Sequence, residues 1–239
     1  YGRFRVAEPG NSKCILLWAH NPTNSNPMLV RSVLKAKDKG AVLIVIDPRR
    51  TPLAEVADIH LQLRPGTDCA LIEGLTNIII SQKLYDEEFV SKWTYGFDQL
   101  AEHVKPFTSL HVERITGIPA QMVEKVAHLY GTIKQACIVQ GTNALDQGTT
   151  GIQSGRGIAI LQAITGNVDV PGGFVRAPRL RENPIGVPEK LEEPAIGQKK
   201  YLVFYGIFGR EFGEGQDMLV SDVLLTEKRY GIKMMVMAG

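Results

Sequence analysis

Only three cysteines occur in this chain of 239 residues, Cys14, Cys69 and Cys137, and no two of them form a C-x-x-C pair. An odd, dispersed set builds neither a disulfide framework nor, alone, an iron–sulfur or zinc cage, so these thiols are expected as small buried apolar side chains. An excess of one charge is also missing. The 27 basic and 25 acidic residues leave a formal net charge of +2, and the cations are scattered, with Arg176, Arg179 and Arg181 the densest group. Neither a nucleic acid nor an anionic membrane is implied as a partner. No apolar run reaches the ~18 residues of a membrane span, and the first residues lack the charged-then-apolar layout of a signal peptide. Direct membrane insertion is therefore not expected. The first strand is not followed by G-x-G-x-x-G, the fingerprint of an ordinary dinucleotide site. Because the chain begins at Tyr1 and stops at Gly239 directly after an apolar run, it is expected to be an internal piece of a longer protein.

What is present fits a folded α/β protein. With 44% hydrophobic and 22% charged residues, the chain can bury one large core or two small ones. Residues 41–46 (Ala-Val-Leu-Ile-Val-Ile) are too short for a confident helix. They have the composition of a strand buried on both faces of a parallel sheet. Residues 14–18 read as an earlier strand and residues 28–39 as the intervening helix, stopped by Gly40. Strand, helix and strand make a β-α-β unit. A third strand is read at 59–63, followed by a turn at 64–68 and a helix at 69–82. Helices at 86–93, 97–104 and 119–132 make up a helical insertion spanning about 84–133. Strand character returns at 136–140 and is followed by a glycine-rich loop at 141–151 and a helix at 152–165.

The expected architecture is three-layer α/β/α with a mostly parallel Rossmann-like sheet and a helical insertion. Residues 1–173 form a nucleotide-binding domain and 174–200 an extended connection. Residues 201–239, with a short helix at 218–227 and a strand at 232–238, start a truncated second α/β half.

Ligands of open α/β sheets sit at the carboxyl ends of the strands. Loops 19–27, 47–51, 64–68 and 141–151 all fall there. Asn21, Ser25 and Asn26 suit a diphosphate at a helix start, where unpaired amides and the helix dipole favour anions. Asp47 suits a ribose hydroxyl pair, and Arg49 or Arg50 suits a phosphate or a base. Each feature also has a purely structural reading. Asn-Pro-Thr-Asn-Ser makes a cap and turn, Asp47 with Arg49 or Arg50 a surface ion pair, Asp68 a helix cap, and Gly141, Gly148 and Gly151 tight turns. Convergence of four loops on one edge favours a ligand. His20 lies in the first loop, whereas His60, His103, His111 and His128 fall on strand or helix patterns. Spacing reveals no nucleophile, base and orienter set and no metal cage.

Taken together, these motifs resemble the large subunits of molybdenum and tungsten enzymes of the dimethyl sulfoxide reductase family. The match runs in order through Leu17-Trp18-Ala19-His20-Asn21-Pro22, Ile46-Asp47-Pro48-Arg49-Arg50-Thr51, Leu63-Arg64-Pro65-Gly66-Thr67-Asp68, Thr116-Gly117-Ile118-Pro119, Thr165-Gly166-Asn167 and Pro171-Gly172-Gly173.

The resemblance implies a bis-(molybdopterin guanine dinucleotide) cofactor with Mo or W. The loop from Trp18 through Ala19, His20, Asn21 and Ser25 to Asn26, the loop Asp47-Pro48-Arg49 and the turn Gly66-Thr67-Asp68 would hold the guanosine diphosphate end of one pterin. Asp47 would face ribose or guanine, Asp68 would accept from the guanine N–H edge, and Gly141, Asp146 and Gln147 would pass nearer the pterin and metal. Asp146-Gln147 stands where a Gln-His pair is common, and Ala19 where many members have glycine. These departures bear on substrate rather than cofactor.

The resemblance puts a 4Fe-4S cluster and the metal's protein ligand upstream of this stretch, and a barrel domain downstream. It also implies as partners the rest of the catalytic subunit and an iron–sulfur electron-transfer subunit. The parent would carry out redox or oxygen-atom transfer in the cytoplasm or periplasm, and this piece alone would be inactive. Two other readings are a pterin-free structural subunit of the complex I type, disfavoured by the retained charged loops, and a nicotinamide-dependent dehydrogenase, disfavoured by the missing fingerprint.

Overall fold

In the computed structural model, residues 5–141, 145, 147–177, 196–197, 200, 219–227 and 231–236 are described. The four apolar runs at 14–18, 41–46, 59–63 and 136–140 supply β2 (Cys14–Trp18), β3 (Val42–Ile46), β4 (Ile59–Leu61) and β5 (Ala136–Gln140). They form one parallel sheet in the order β4-β3-β2-β5. Trp18 stands opposite both Ile46 and Gln140, and Ile46 stands opposite Leu61, so all four carboxyl ends share one edge. From β2 the chain moves outward to β3 and β4 and then returns to the other side at β5. That reversal creates a switch point between β2 and β5, where open α/β sheets form their ligand crevice.

Side-chain alternation along each strand divides the core into two layers. Cys14, Leu16, Trp18, Ile44, Ile46, Ala136 and Ile138 pack with α4 (Asp68–Ser81), α7 (Ser109–Thr116), α8 (Ala120–Thr132) and α9 (Gly151–Ile164). On the other face, Ile15, Leu17, Leu43, Val45, Cys137 and Val139 pack with α2 (Pro27–Asp38) and α3 (Pro52–Glu55). Cys14 on the first face and Cys137 on the second are both buried, and burial pushes each thiol up to about 12, whereas Cys69 is only partly buried. α5 (Glu87–Trp93) and α6 (Phe97–Val104) complete the helical stretch before β5.

β5 is an edge strand whose outer face is closed by side chains. Gly141 N donates to Trp18 O and Lys13 N to Gln135 O, so the odd-numbered residues face β2 and the even-numbered ones face outward. Outward-facing Ala136 N donates to Asn167 Oδ1 at 3.0 Å, and Gln162 Nε2 donates to Ile138 O at 3.4 Å. Asn167 Nδ2 donates to Thr165 Oγ1 at 2.9 Å. The Thr165-Gly166-Asn167 motif thus caps a sheet edge, a role that needs no ligand.

Several elements depart from the sequence expectation. β1 (Arg5–Ala7) pairs antiparallel with β6 (Phe174–Arg176), so the stretch expected as a connection from residue 174 begins as a strand. Three-residue strands containing arginine carry too little apolar alternation to be read. Helix α7 was not expected; it is capped by Thr108 and ended by left-handed Gly117. The four-residue helix α1 (Pro22–Ser25) lies within the first loop, and α3 directly follows the second, capped by Thr51.

Backbone contacts divide the chain into two units, Tyr1–Arg179 and Leu180–Gly239. In the second unit a helix spans Val220–Thr226. Residues 231–236, expected to be strand from Ile232, carry neither helix nor strand; no described strand pairs with them, and Met234 and Val236 are exposed. A strand of this kind forms only beside a partner. The remainder of 178–218 that bears on the expected connection lies largely outside the described residues. Among the described residues, no helix is long and apolar enough to cross a membrane.

Candidate functional site

The loops leaving β2 and β5 are pressed together at the switch point. Gly141 N donates to Trp18 O at 2.8 Å, and Ala19 N donates to Ile46 O at 2.8 Å. A Cβ on Gly141 would overlap the Ala19 carbonyl oxygen and lie 3.2 Å from the His20 Cα. Ala19 itself takes a left-handed φ of 49°, a conformation glycine adopts more readily.

The next side chain, His20, is partly buried, and its Nδ1 is buried with no hydrogen-bond partner. Its Nε2 lies 3.5 Å from Ser25 Oγ. Burial lowers its pKa from 6.5 and so favours the neutral ring. Ser25 Oγ donates to Asn21 O at 3.2 Å, and Thr23 Oγ1 donates to Asn21 Oδ1. Asn26 Oδ1 accepts from Leu29 N at 3.1 Å, so its side chain caps α2.

After β3, Asp47 is 3% exposed. Its Oδ1 accepts from Arg49 N at 2.8 Å and from Arg49 Nε at 3.4 Å. The carboxylate therefore holds its own turn, while the Arg49 side chain is 71% exposed to solvent. His60 Nε2 lies 2.9 Å from Asp47 O, and Gln62 Nε2 donates to Pro48 O at 2.8 Å. Neither residue was singled out from sequence as serving this loop. The signal was the alternation Ile59-His60-Leu61-Gln62-Leu63, which puts both polar side chains on one face of β4.

After β4, Thr67 N donates to Arg64 O at 3.3 Å and Gly66 has φ +80°, as a turn with glycine in its third position requires. Thr67 Oγ1 donates to Arg64 O at 2.6 Å. Asp68 begins α4, and its Oδ1 accepts from Trp18 Nε1 at 2.8 Å. No donor among the described residues takes Oδ2. Trp18 is fully buried, so its indole cannot stack on a ligand, whereas Asp68 is only partly covered.

The structure thus gathers Trp18, Ala19, His20, Asn21, Asp47, Pro48, Gly66, Thr67, Asp68 and Gly141 at one edge of one sheet. Gln147 is exposed in the turn before α9, and Asp146 lies outside the described residues. Among the described residues, no group of three His, Cys, Asp or Glu side chains could hold a metal. What the edge offers is a close-approach glycine, a carboxylate with one oxygen to spare, an orphaned imidazole nitrogen and an exposed guanidinium.

Residues 7–183 match the family model described as Molybdopterin oxidoreductase. The alpha subunit of the F420-dependent formate dehydrogenase of Methanocaldococcus jannaschii is 38% identical over 197 residues, which cover 82% of this chain and 29% of that protein. Acetylene hydratase of Syntrophotalea acetylenica is 36% identical over 221 residues, 88% of this chain and 30% of that protein. Formate dehydrogenase H of Escherichia coli is 33% identical over 178 residues, 74% of this chain and 25% of that protein. Among solved structures, acetylene hydratase from Pelobacter acetylenicus matches with a TM-score of 0.77 at 32% identity, covering 97% of this chain and 35% of that one. The chain spans about a quarter to a third of the length of these relatives.

Proposed function

Because this chain belongs to the molybdopterin oxidoreductase family, which works with a molybdenum or tungsten pterin cofactor, we propose that its parallel sheet holds the guanosine diphosphate end of one molybdopterin guanine dinucleotide. The observation that carries this reading is the convergence of the Ala19–Gly141 contact, the exposed Arg49 and the half-engaged Asp68 carboxylate on one sheet edge.

Each residue has a part that its surroundings support. At Gly141 the missing Cβ lets the two switch-point loops close, so backbone from both can line the crevice. Amides near His20 and Asn21, with the neutral imidazole of His20 beside Ser25, suit diphosphate oxygens. Asp47, held in its own turn, positions Arg49 to offset phosphate charge. The turn Arg64-Pro65-Gly66-Thr67 delivers Asp68, whose carboxylate accepts from the adjacent N–H groups that guanine presents and adenine lacks. Asn26 and Pro48 hold loop geometry, and Asp146 and Gln147 lie on the loop assigned to the pterin side. When bound, the metal and its dithiolenes supply the redox chemistry, and these residues bind, orient and shield the cofactor.

The same reading extends to the parent protein. It pairs two pterin guanine dinucleotides on one Mo or W, carries a 4Fe-4S cluster outside this stretch, and transfers electron pairs or an oxygen atom. It works with an iron–sulfur electron-transfer subunit; the designation "subunit alpha" in the formate dehydrogenase relatives implies only that those proteins have further subunits. Metal and pterin analysis of the purified parent subunit tests this assignment. Stoichiometric pterin guanine nucleotide is expected, and a subunit purified without pterin overturns it.

A further inference from the structure

We infer that Trp18 is the positioning residue for guanine selection, acting through the hydrogen bond that its buried indole gives to Asp68. This rests on the proposal that Asp68 receives the guanine edge. The two residues lie 50 positions apart, Trp18 at the carboxyl end of β2 and Asp68 in the first turn of α4, and Trp18 Nε1 reaches Asp68 Oδ1 at 2.8 Å.

The indole is 0% exposed and wedged in the core layer between sheet and helices. Its N–H direction is therefore fixed by the sheet and not by solvent. A carboxylate on the first turn of a helix otherwise rotates about its own side-chain torsions. One charge-assisted hydrogen bond from a rigid donor removes that freedom.

A carboxylate has about four lone-pair sites. Trp18 occupies one of them on Oδ1, so the carboxylate plane is set while both oxygens keep acceptor capacity. That arrangement suits a ligand edge with two parallel N–H donors, which guanine offers through N1–H and its 2-amino group. Hypoxanthine offers only N1–H, and adenine offers a lone pair at N1 that the carboxylate repels. Selectivity for guanine over hypoxanthine therefore reports how well the carboxylate is held, whereas overall affinity also reports the diphosphate contacts.

The test compares GDP, IDP and ADP binding to the full 239-residue chain by calorimetry. The wild-type chain is expected to prefer GDP over IDP by about tenfold, the size of one hydrogen bond to a charged group. In Trp18→Phe that preference falls to less than about threefold while IDP binding is kept, since the ring still fills the core and only the donor is gone. An unchanged preference in Trp18→Phe overturns the inference and leaves the guanine reading standing. Absence of any GDP preference in the wild-type chain overturns both.

Should Trp18→Phe not fold, the wild-type chain decides through its indole N–H resonances. The chain has two tryptophans, and Trp93→Phe assigns them, because Trp93 is 75% exposed and lies on α5. The Trp18 resonance is expected to shift on adding GDP and to stay in place with ADP. A Trp18 resonance indifferent to GDP overturns the inference.

Discussion

Gly141 and Ala19 meet so closely across the switch point that no Cβ fits between the end of β5 and the loop after β2. Replacing Gly141 with alanine therefore forces backbone apart rather than filling space. Gly141→Ala is expected to cost about 2 kcal/mol or more, the usual scale of overpacking where neither side can yield. Gly148→Ala serves as the control, since its nearest neighbour, Leu145 O, is 3.9 Å away. Denaturant midpoints of the two variants check this, and equal midpoints count against the close approach.

Ala19 makes the opposite case. Its φ of 49° strains an L-residue, and glycine relieves this at some entropic cost in the unfolded chain. Ala19→Gly is expected to be neutral or to stabilise by up to about 1 kcal/mol. A clear loss of stability in the same denaturation experiment would show that the methyl group is packed rather than tolerated.

Asn26 separates a structural from a ligand role. Because Asn26 Oδ1 accepts from Leu29 N at the start of α2, Asn26→Ala is expected to lose ~1 kcal/mol and Asn26→Ser to lose far less. Thermal melts check the pair. If Ser and Ala are equally damaging, the side chain does more than cap.

For His20, the sign of the pH effect follows from burial. The folded-state pKa lies below the ordinary 6.5, so between the folded pKa and about pH 6.5 the unfolded chain binds more protons. Stability contributed by the neutral ring is thus present above about pH 6.5 and declines as pH falls through that window. Melting temperatures of wild type and His20→Asn between pH 5 and 8 isolate the effect. The wild type should fall more steeply on acidification, and parallel curves would contradict it.

Much of this fold could be read from composition and spacing because its centre is a parallel sheet. Strands β2, β3 and β5 are buried on both faces and so appear as unbroken apolar runs, and α2 between the first two carries its Asn26 cap and a glycine stop at Gly40. β1 and β6 escaped because a three-residue strand has too little periodicity and depends on tertiary partners such as Asp169, which Arg5 grips with bonds of 2.9 and 2.7 Å. At the site, sequence could place Asp47 and Asp68 at strand ends but could not tell which way their carboxylates turn. Asp47 proves to be occupied by its own loop, and Asp68 by an indole 50 residues away. The Thr165-Gly166-Asn167 motif was visible as a family mark, yet its work on the β5 edge is a three-dimensional fact.

The central claim is that this sheet edge accepts a guanine nucleotide through Asp68. Thermal protection of the chain by GDP, compared with ATP and NAD and repeated in Asp68→Ala, tests it most directly. Weak protection specific to GDP, abolished in Asp68→Ala, is the expected result. Equal protection by ATP or NAD, or GDP protection that survives the substitution, would contradict the account.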